Sequence, residues 1–256
     1  MTRFIGFDLE TTGIDSFRDV PVSYGFVERV QGARGSESLM ESCFVNPGIP
    51  IPLGASAIHG ITDEMVADAT PLSAAVEIMA ERISAHWACG DVIVGMNVAY
   101  DLTMVDSLCR RLDLTTLTER GDIGAVVDVL ILDRHYDKWR KGGRKLTDLC
   151  RHYEVALGNA HSAAQDAEAS LVVFEVLRER YRAFDAIPVA RLNVTVRSWY
   201  EEWLSSFSLY LEKKGEEPIA PGRYEWPIHI DDDAVVGLGR FELPISRPPA
   251  ERSRPN

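Results

Sequence analysis

Cysteine is scarce in this 256-residue chain: Cys43, Cys89, Cys109 and Cys150 stand far apart, with no C-x-x-C pair. That argues against a disulfide framework and against a thiolate zinc site. Each lies in or beside an apolar stretch, so small buried reduced thiols are expected. Long hydrophobic runs are missing as well, and nothing approaches the roughly 20 apolar residues that cross a bilayer. The opening MTRFIGFDLE has no leader-peptide design, so the expectation is a cytoplasmic protein with no membrane partner. Positive charge is the third deficit. Lys and Arg number 27 against 39 Asp and Glu, a net charge of −12. Such a balance argues against coating nucleic acid through a broadly basic surface, but not against an enzyme that grips a few nucleotides. No internal repeat is present.

The remaining composition, 46% hydrophobic and 26% charged, suits one good-sized domain with an appendage. Apolar patterning predicts strands near Arg3–Phe7, Val20–Val30 and Glu37–Val45, with a hairpin turn over Gln31–Ser36. NPGIPIPLGASAIHGIT reads as a loop. Thr62 then caps a short helix, and Pro71 opens a longer one with Leu72, Val76, Met79 and Ile83 on one face. DVIVGMN is a buried strand feeding a helix from about Val98 to Leu112. AVVDVLILD is another strand passing into a helix. Helices follow near Leu146–Tyr153 and Ser162–Arg182. Early hairpins followed by strand–helix alternation imply an α/β sheet with helices on its faces.

Past Arg182 the character changes. Pro188 to Lys214 holds an amphipathic helix ended by Gly215, in which Trp199, Trp203 and Phe207 make one stripe; such stripes are most often core. The helix is expected to serve as an intramolecular prop or a self-association surface. The expected division is a domain over 1–184, this helix over 185–215, and an extended, partly disordered tail over 216–256.

Three stretches carry chemistry. In FDLETTG, the alternation of an extended strand turns Asp8 and Glu10 to the same side, away from Phe7 and Leu9. Two like charges so placed repel unless a cation sits between them. In GMNVAYDLTMVD, a strand ending at Asn97 feeds a helix whose first turn holds Asp101. In AHSAAQDAEAS, His161 precedes a helix that carries Asp166 beside a small-residue face, an unusual place for an unpaired carboxylate. Each stretch alone has a bland reading: a strand end, an N-terminal helix acid, a loop histidine. Their occurrence together, in order, at strand ends and helix starts, favours the sharper one.

On these motifs the chain resembles the DEDDh 3′–5′ exonucleases, the DnaQ-like superfamily of the bacterial proofreading epsilon subunit and RNase T. FDLETTG matches the first motif, NVAYD the second and HSAAQDA the third. The loop His59–Thr62 is similar to a further family segment. The sister group has a tyrosine four residues before the last aspartate, where this chain has Ser162; His161 stands five before, as in the h-type. Met96 replaces a histidine that often precedes Asn97 in the family. The resemblance covers about Arg3 to Arg182. It implies a ribonuclease H-like fold with a mixed five-stranded sheet flanked by helices, here with a C-terminal helical extension.

It also implies a function. The expectation is a metal-dependent exonuclease that hydrolyses phosphodiester bonds at a single-stranded or frayed 3′ end, DNA ahead of RNA, and releases nucleoside monophosphates. Two divalent cations, Mg²⁺ or Mn²⁺, would sit about 3.5–4 Å apart in a cage of hard oxygen ligands. By resemblance Asp8 bridges them, Glu10 and Asp166 hold the water-activating ion and Asp101 steadies the other. His161 would be the general base. Thr11, Thr12 and Gly13 would approach the terminal nucleotide, with Leu9, His59 and Asn97 as further substrate contacts. The basic run RHYDKWRKGGRK suggests that Arg140, Lys141 and Arg144 hold upstream phosphates. A DNA polymerase, or a second copy met through the C-terminal helix, is the candidate protein partner. The rival reading is a catalytically silent scaffold or polymerase-tethering module.

Overall fold

A computed structural model describes residues 2–32, 35–156 and 162–231. It begins with an antiparallel meander of β1 (Phe4–Thr11), β2 (Pro21–Gly32) and β3 (Gly35–Asn46). The β2–β3 pairing runs to Gly32 opposite Gly35, so the strands extend into the expected turn, whose two central residues lie outside the described set. Next come helices α1 (Leu53–His59) and α2 (Asp63–Val66), a two-residue strand β4 (Thr70–Pro71) and helix α3 (Leu72–Ala88). The parallel half follows: β5 (Val92–Gly95), α4 (Val98–Arg111), the short α5 (Leu117–Arg120), β6 (Ala125–Asp128) and α6 (Val129–Tyr136). Helices α7 (Leu146–His152), α8 (Ala163–Arg180) and α9 (Leu192–Lys214) complete the order. The sheet runs β4-β3-β2-β1-β5-β6, with β1, β5 and β6 parallel. The expected five strands are there, and β4 adds a sixth at the edge.

Period-two alternation sorts β1 into two faces. Ile5, Phe7 and Leu9 enter one core with Val76, Met79 and Ile83 of α3 and Leu102 and Val105 of α4. Burying each large apolar side chain of that layer is worth about 1.5–3 kcal/mol. The opposite face, carrying Gly6, Asp8 and Glu10, meets α8. Close approach there depends on missing side chains. A Cβ on Gly6 would fall 2.7 Å from the Ala167 carbonyl oxygen, and one on Gly25 would fall 2.5 Å from Ala164 Cα. Gly25 is the β2 partner of Asp8, so the gap it leaves lies beside the first carboxylate.

Several expectations need correction. The Pro- and Gly-rich stretch is not all loop, since Leu53–His59 is helical. Its prolines precede the helix, where a missing N–H costs nothing, and Gly60 closes it at φ 73, a left-handed cap. Only Cys109 and Cys150 are buried; Cys89 is exposed and Cys43 half-buried, all four free. The tail is not extended throughout. Trp226 and His229 are buried, and the His229 backbone N–H donates to Thr103 Oγ1 on α4 at 2.9 Å. Residues 232–256 lie outside the described set.

Helix α9 does brace the domain, its fully buried row lying beside the aromatic one, of which Trp199 and Trp203 pack on the core at its margin. Leu192, Val196, Tyr200, Leu204 and Ser208 are its buried positions, while Trp199, Trp203 and Phe207 stand half-exposed beside them. Both rows have spacing four, and only packing decides between them. The brace begins at Asn193, whose Oδ1 accepts from Val126 N–H at 2.8 Å while its amide donates to the Gly124 carbonyl at 2.5 Å. These bonds cover the free edge of β6, which would otherwise be open for pairing.

Candidate active site

Strands β1, β5 and β6 all end on one rim of the sheet, and the acids gather there. The β1–β5 ladder stops at Gly6 opposite Val94, yet β1 runs on to Thr11. The overrun leaves the Leu9 N–H beyond the ladder. Asp101, four residues into α4, takes that donor at 3.1 Å, which ties the second motif to the first. Helix α8, lying in the gap left by Gly6 and Gly25, brings Asp166 to the same rim. Carboxylate oxygens of Asp8, Glu10 and Asp166 come within 4.8 Å of one another.

Such crowding is costly. Burial, then the charges of Asp101, Asp166 and Glu10, pushes the Asp8 carboxyl well above its usual range. Glu10 is raised to about 7 by burial and by Asp166. Asp101 is also raised, by burial and by Asp128 and Glu10, although the Leu9 N–H opposes the shift. No basic side chain among the described residues offsets Asp8 or Glu10. Convergent hard oxygen donors fit a divalent cation; an ion would reverse each of these shifts.

Asp128 went unrecognised in the sequence. It ends β6, is buried, and its Oδ1 accepts from both Asn97 N–H at 3.0 Å and Leu130 N–H at 2.8 Å. It thus caps α6 and pins the turn before Asp101. Burial raises it to about 6, against those backbone donors. Its signal was an aspartate at a strand–helix junction, which also describes an ordinary cap. Tyr100 is a second omission. Its hydroxyl donates to the Gly13 carbonyl at 2.7 Å and lies 3.2 Å from Thr11 Oγ1, joining α4 to the Thr-Thr-Gly turn.

The other expected substrate contacts are placed less directly. Thr11 Oγ1 donates to the Gly13 carbonyl. Thr12 is buried with its hydroxyl on Asp19 at 3.0 Å, so it shapes the turn. A Cβ on Gly13 would strike the Asp19 carboxylate, which is why a glycine stands there. The Leu9 side chain lies in the core, leaving its backbone as the part that meets the site. His59 ends α1 with Nδ1 accepting from Ile61 N–H at 3.0 Å. Asn97 holds a left-handed conformation, φ 57, with its side chain exposed. His161 lies outside the described residues.

The basic run turns out differently. Asp133, at 0% exposure, takes Arg140 Nε at 2.7 Å on one oxygen and Arg144 on the other. Tyr153 also donates to it at 2.8 Å. A buried carboxylate requires such partners, so these two arginines are committed inward and are corrected from phosphate guides to internal ion-pair partners. Lys141 alone of the three is exposed.

With this geometry in view, the comparisons decide the family. The profile of the RNase_T exonuclease family matches residues 5–174. The chain belongs to the exonuclease family. Among curated relatives, the PolC-type DNA polymerase III of Caldanaerobacter subterraneus subsp. tengcongensis is 30% identical over 191 residues, 75% of this chain but 13% of that protein. Among solved structures, exonuclease I superposes with a TM-score of 0.61 at 19% identity, over 73% of this chain and 43% of that one. E. coli exonuclease I in complex with a dA16 oligonucleotide gives 0.59 at 18% identity, with the same coverage. The likeness establishes a ribonuclease H-like fold for this exonuclease domain, which spans less than half of the proteins it matches. Among the described residues no helix is long and apolar enough to cross a membrane.

Proposed function

We propose that the chain is a metal-dependent 3′–5′ exonuclease that releases nucleoside monophosphates from single-stranded ends, DNA ahead of RNA. The observation that carries this reading is the convergence of Asp8, Glu10 and Asp166 across a helix–sheet contact that only glycine permits. Asp8, Glu10 and Asp166 would hold the divalent ions, with Asp101 beside them; when bound, the ions supply charge stabilisation at the phosphoryl oxygens and lower the pKa of attacking water. His161, five residues before Asp166, takes a proton from that water on its imidazole nitrogen, a role suited to a side chain that titrates near neutrality. The backbone of the Thr11–Gly13 turn, fixed by Tyr100 and Asp19, orients the terminal nucleotide. Preference for DNA draws support from the dA16 complex of E. coli exonuclease I, and association with a polymerase from the PolC-type relative.

The test uses matched 5′-labelled DNA and RNA strands, with Mg²⁺ or Mn²⁺ and with EDTA. A ladder that shortens one nucleotide at a time from the 3′ end, faster on DNA and absent in EDTA, is expected. Internal cuts, or shortening unaffected by EDTA, would refute the assignment.

A further inference from the structure

Arginines in this chain are mostly spoken for. Arg140 and Arg144 pair with Asp133, Arg120 with Glu77 and Arg29 with Glu175. Arg180, Arg182 and Arg191, without such partners among the described residues, are exposed to water; Arg134, near the end of α6, is not. It is half-buried, with its guanidinium flat on the Trp203 ring, 3.5 Å from the centroid. Among the described residues it has no hydrogen bond and no ion pair. Stacking uses the face of a guanidinium and leaves its in-plane donors unspent. Burial, with the charge of Arg144 and only partly offset by the charges of Asp128 and Asp133, draws its pKa down to about 10. A desolvated cation with idle donors lacks an anion.

Those donors line a groove of about 440 Å³ between α6 and α9, a size in the range of small-ligand sites. Its aromatic wall is the half-exposed row Trp199, Trp203 and Phe207, of which the two tryptophans rest one side on the core and leave the other to the groove. Trp203 and Phe207 stack at 5.3 Å and 11°, while His135 lies on Trp199 at 4.0 Å. Lys138, paired with Glu202 where both are exposed, and Arg144, held by Asp133, also line the groove.

Position gives the groove its meaning. Helix α9 starts against the beginning of β6, where Asn193 meets Gly124 and Val126. It then runs in the strand's direction, so that Tyr200 already feels the charge of Asp128. From Asn193 to Trp203 is about 15 Å of helix, against about 13 Å for the four residues of β6. Trp203 and Phe207 therefore reach the rim where β1, β5 and β6 end and the carboxylates gather.

We propose that the α6–α9 groove is a second contact for single-stranded nucleic acid, in which Arg134 takes a backbone phosphate and the Trp203–Phe207 wall takes the adjoining sugar and base. The inference rests on the exonuclease reading above and extends it to nucleotides upstream of the scissile bond. Its occupant follows from charge and shape: an idle cation beside aromatic faces, in a chain of net charge −12, matches alternating phosphate and base. An acidic protein segment would satisfy Arg134 but would leave the aromatic wall without a planar partner.

The experiment measures binding in EDTA, so that hydrolysis cannot interfere. Full-length chain is titrated against a 5′-fluorescein (dT)12 by anisotropy at several salt concentrations. Three variants accompany the wild type. Arg134→Gln removes the cation. Ser206→Glu places a negative charge on the exposed side of the groove without touching the core. Arg151→Gln, 81% exposed on α7, is the charge control. Arg134→Gln should weaken binding about tenfold and shallow the log affinity versus log salt slope by about 0.7, one phosphate contact on a single strand. Ser206→Glu should also weaken binding, and Arg151→Gln should not. Wild-type affinity and slope in both groove variants would overturn the proposal, as would equal losses in all three. Failure of the wild-type chain to bind the strand would overturn it as well. Hydrolysis of p-nitrophenyl thymidine 5′-monophosphate by the wild-type protein in Mn²⁺ tests the exonuclease reading separately.

Discussion

Glu10→Gln should stabilise the protein while no metal is bound and weaken its stabilisation by metal. Glu10 lies in the site with 9% of its surface exposed, and its pKa rises from 4.5 to about 7 through burial and the charge of Asp166. Holding it ionised in the fold therefore costs roughly 3 kcal/mol relative to the unfolded chain. The folded value lies above the unfolded one. The group's contribution is therefore fully present below about pH 4.5 and is lost as pH rises through 7. Glutamine is neutral throughout. At pH 8 in EDTA the variant should melt higher, by about 6–12 °C at roughly 2–4 °C per kcal/mol for a chain of this size. At pH 5, where Glu10 is itself protonated, the two melts should converge. Adding Mn²⁺ at pH 8 should raise the wild-type melt by mass action and the variant's far less, so the order inverts. Differential scanning calorimetry across pH 5–8, with and without metal, reads all three effects. Superimposable wild-type and variant melts at pH 8 in EDTA would refute the idea that Glu10 is held ionised in the fold against burial and the charge of Asp166.

Three other outcomes follow from particular contacts. His161→Ala should lower turnover by about 10²–10⁴, the usual worth of a positioned general base, with metal affinity by calorimetric titration little changed; a lost isotherm would make His161 a ligand instead. Gly25→Ala should push α8 away from β2, because its Cβ falls on the Ala163–Ala164 backbone; metal affinity should fall while circular dichroism stays native, and an unchanged isotherm would show that the gap does not position Asp166. Arg140→Ala should destabilise by about 3–5 kcal/mol by leaving part of a buried charge unpaired, seen as a lower urea midpoint, and should leave the salt dependence of oligonucleotide binding unaltered.

How much of this was legible in the sequence depends on the range of the interaction concerned. Asp8 and Glu10 could be read as a same-face pair because strand alternation is local and the apolar run into Phe7 already reads as a strand. Asp166 stood out because a carboxylate amid Ala163, Ala164, Ala167 and Ala169 contradicts its surroundings. Gly25 gave no such sign, since its role exists only once β2 lies opposite Asp8 and α8 crosses both. Arg140 and Arg144 looked free because their partner, Asp133, sits seven and eleven residues earlier on another element, and nothing in a charge run shows which acid is buried. In α9 two rows at spacing four compete, Leu192-Val196-Tyr200-Leu204 and Trp199-Trp203-Phe207. Hydrophobicity favours the aromatic row, whereas the asparagine that meets the β6 edge fixes the helix rotation in favour of the aliphatic one. Trp226 and His229 sat in a Pro-rich stretch that reads as tail, and only the exposed flank of α4 and α9 gives them a place to bury.

The central claim is that the carboxylates of β1 and α8 act together on the 3′-terminal phosphodiester. The most direct measurement is release of a labelled 3′-terminal nucleotide from a single-stranded oligonucleotide in Mg²⁺ or Mn²⁺, for wild type, Asp8→Ala and Asp166→Ala, each shown to be folded by its melt. Wild-type protein should release the label as a nucleoside 5′-monophosphate, and both variants should release none above background while melting at or above the metal-free wild-type temperature. Near-normal release by either folded variant would contradict the account.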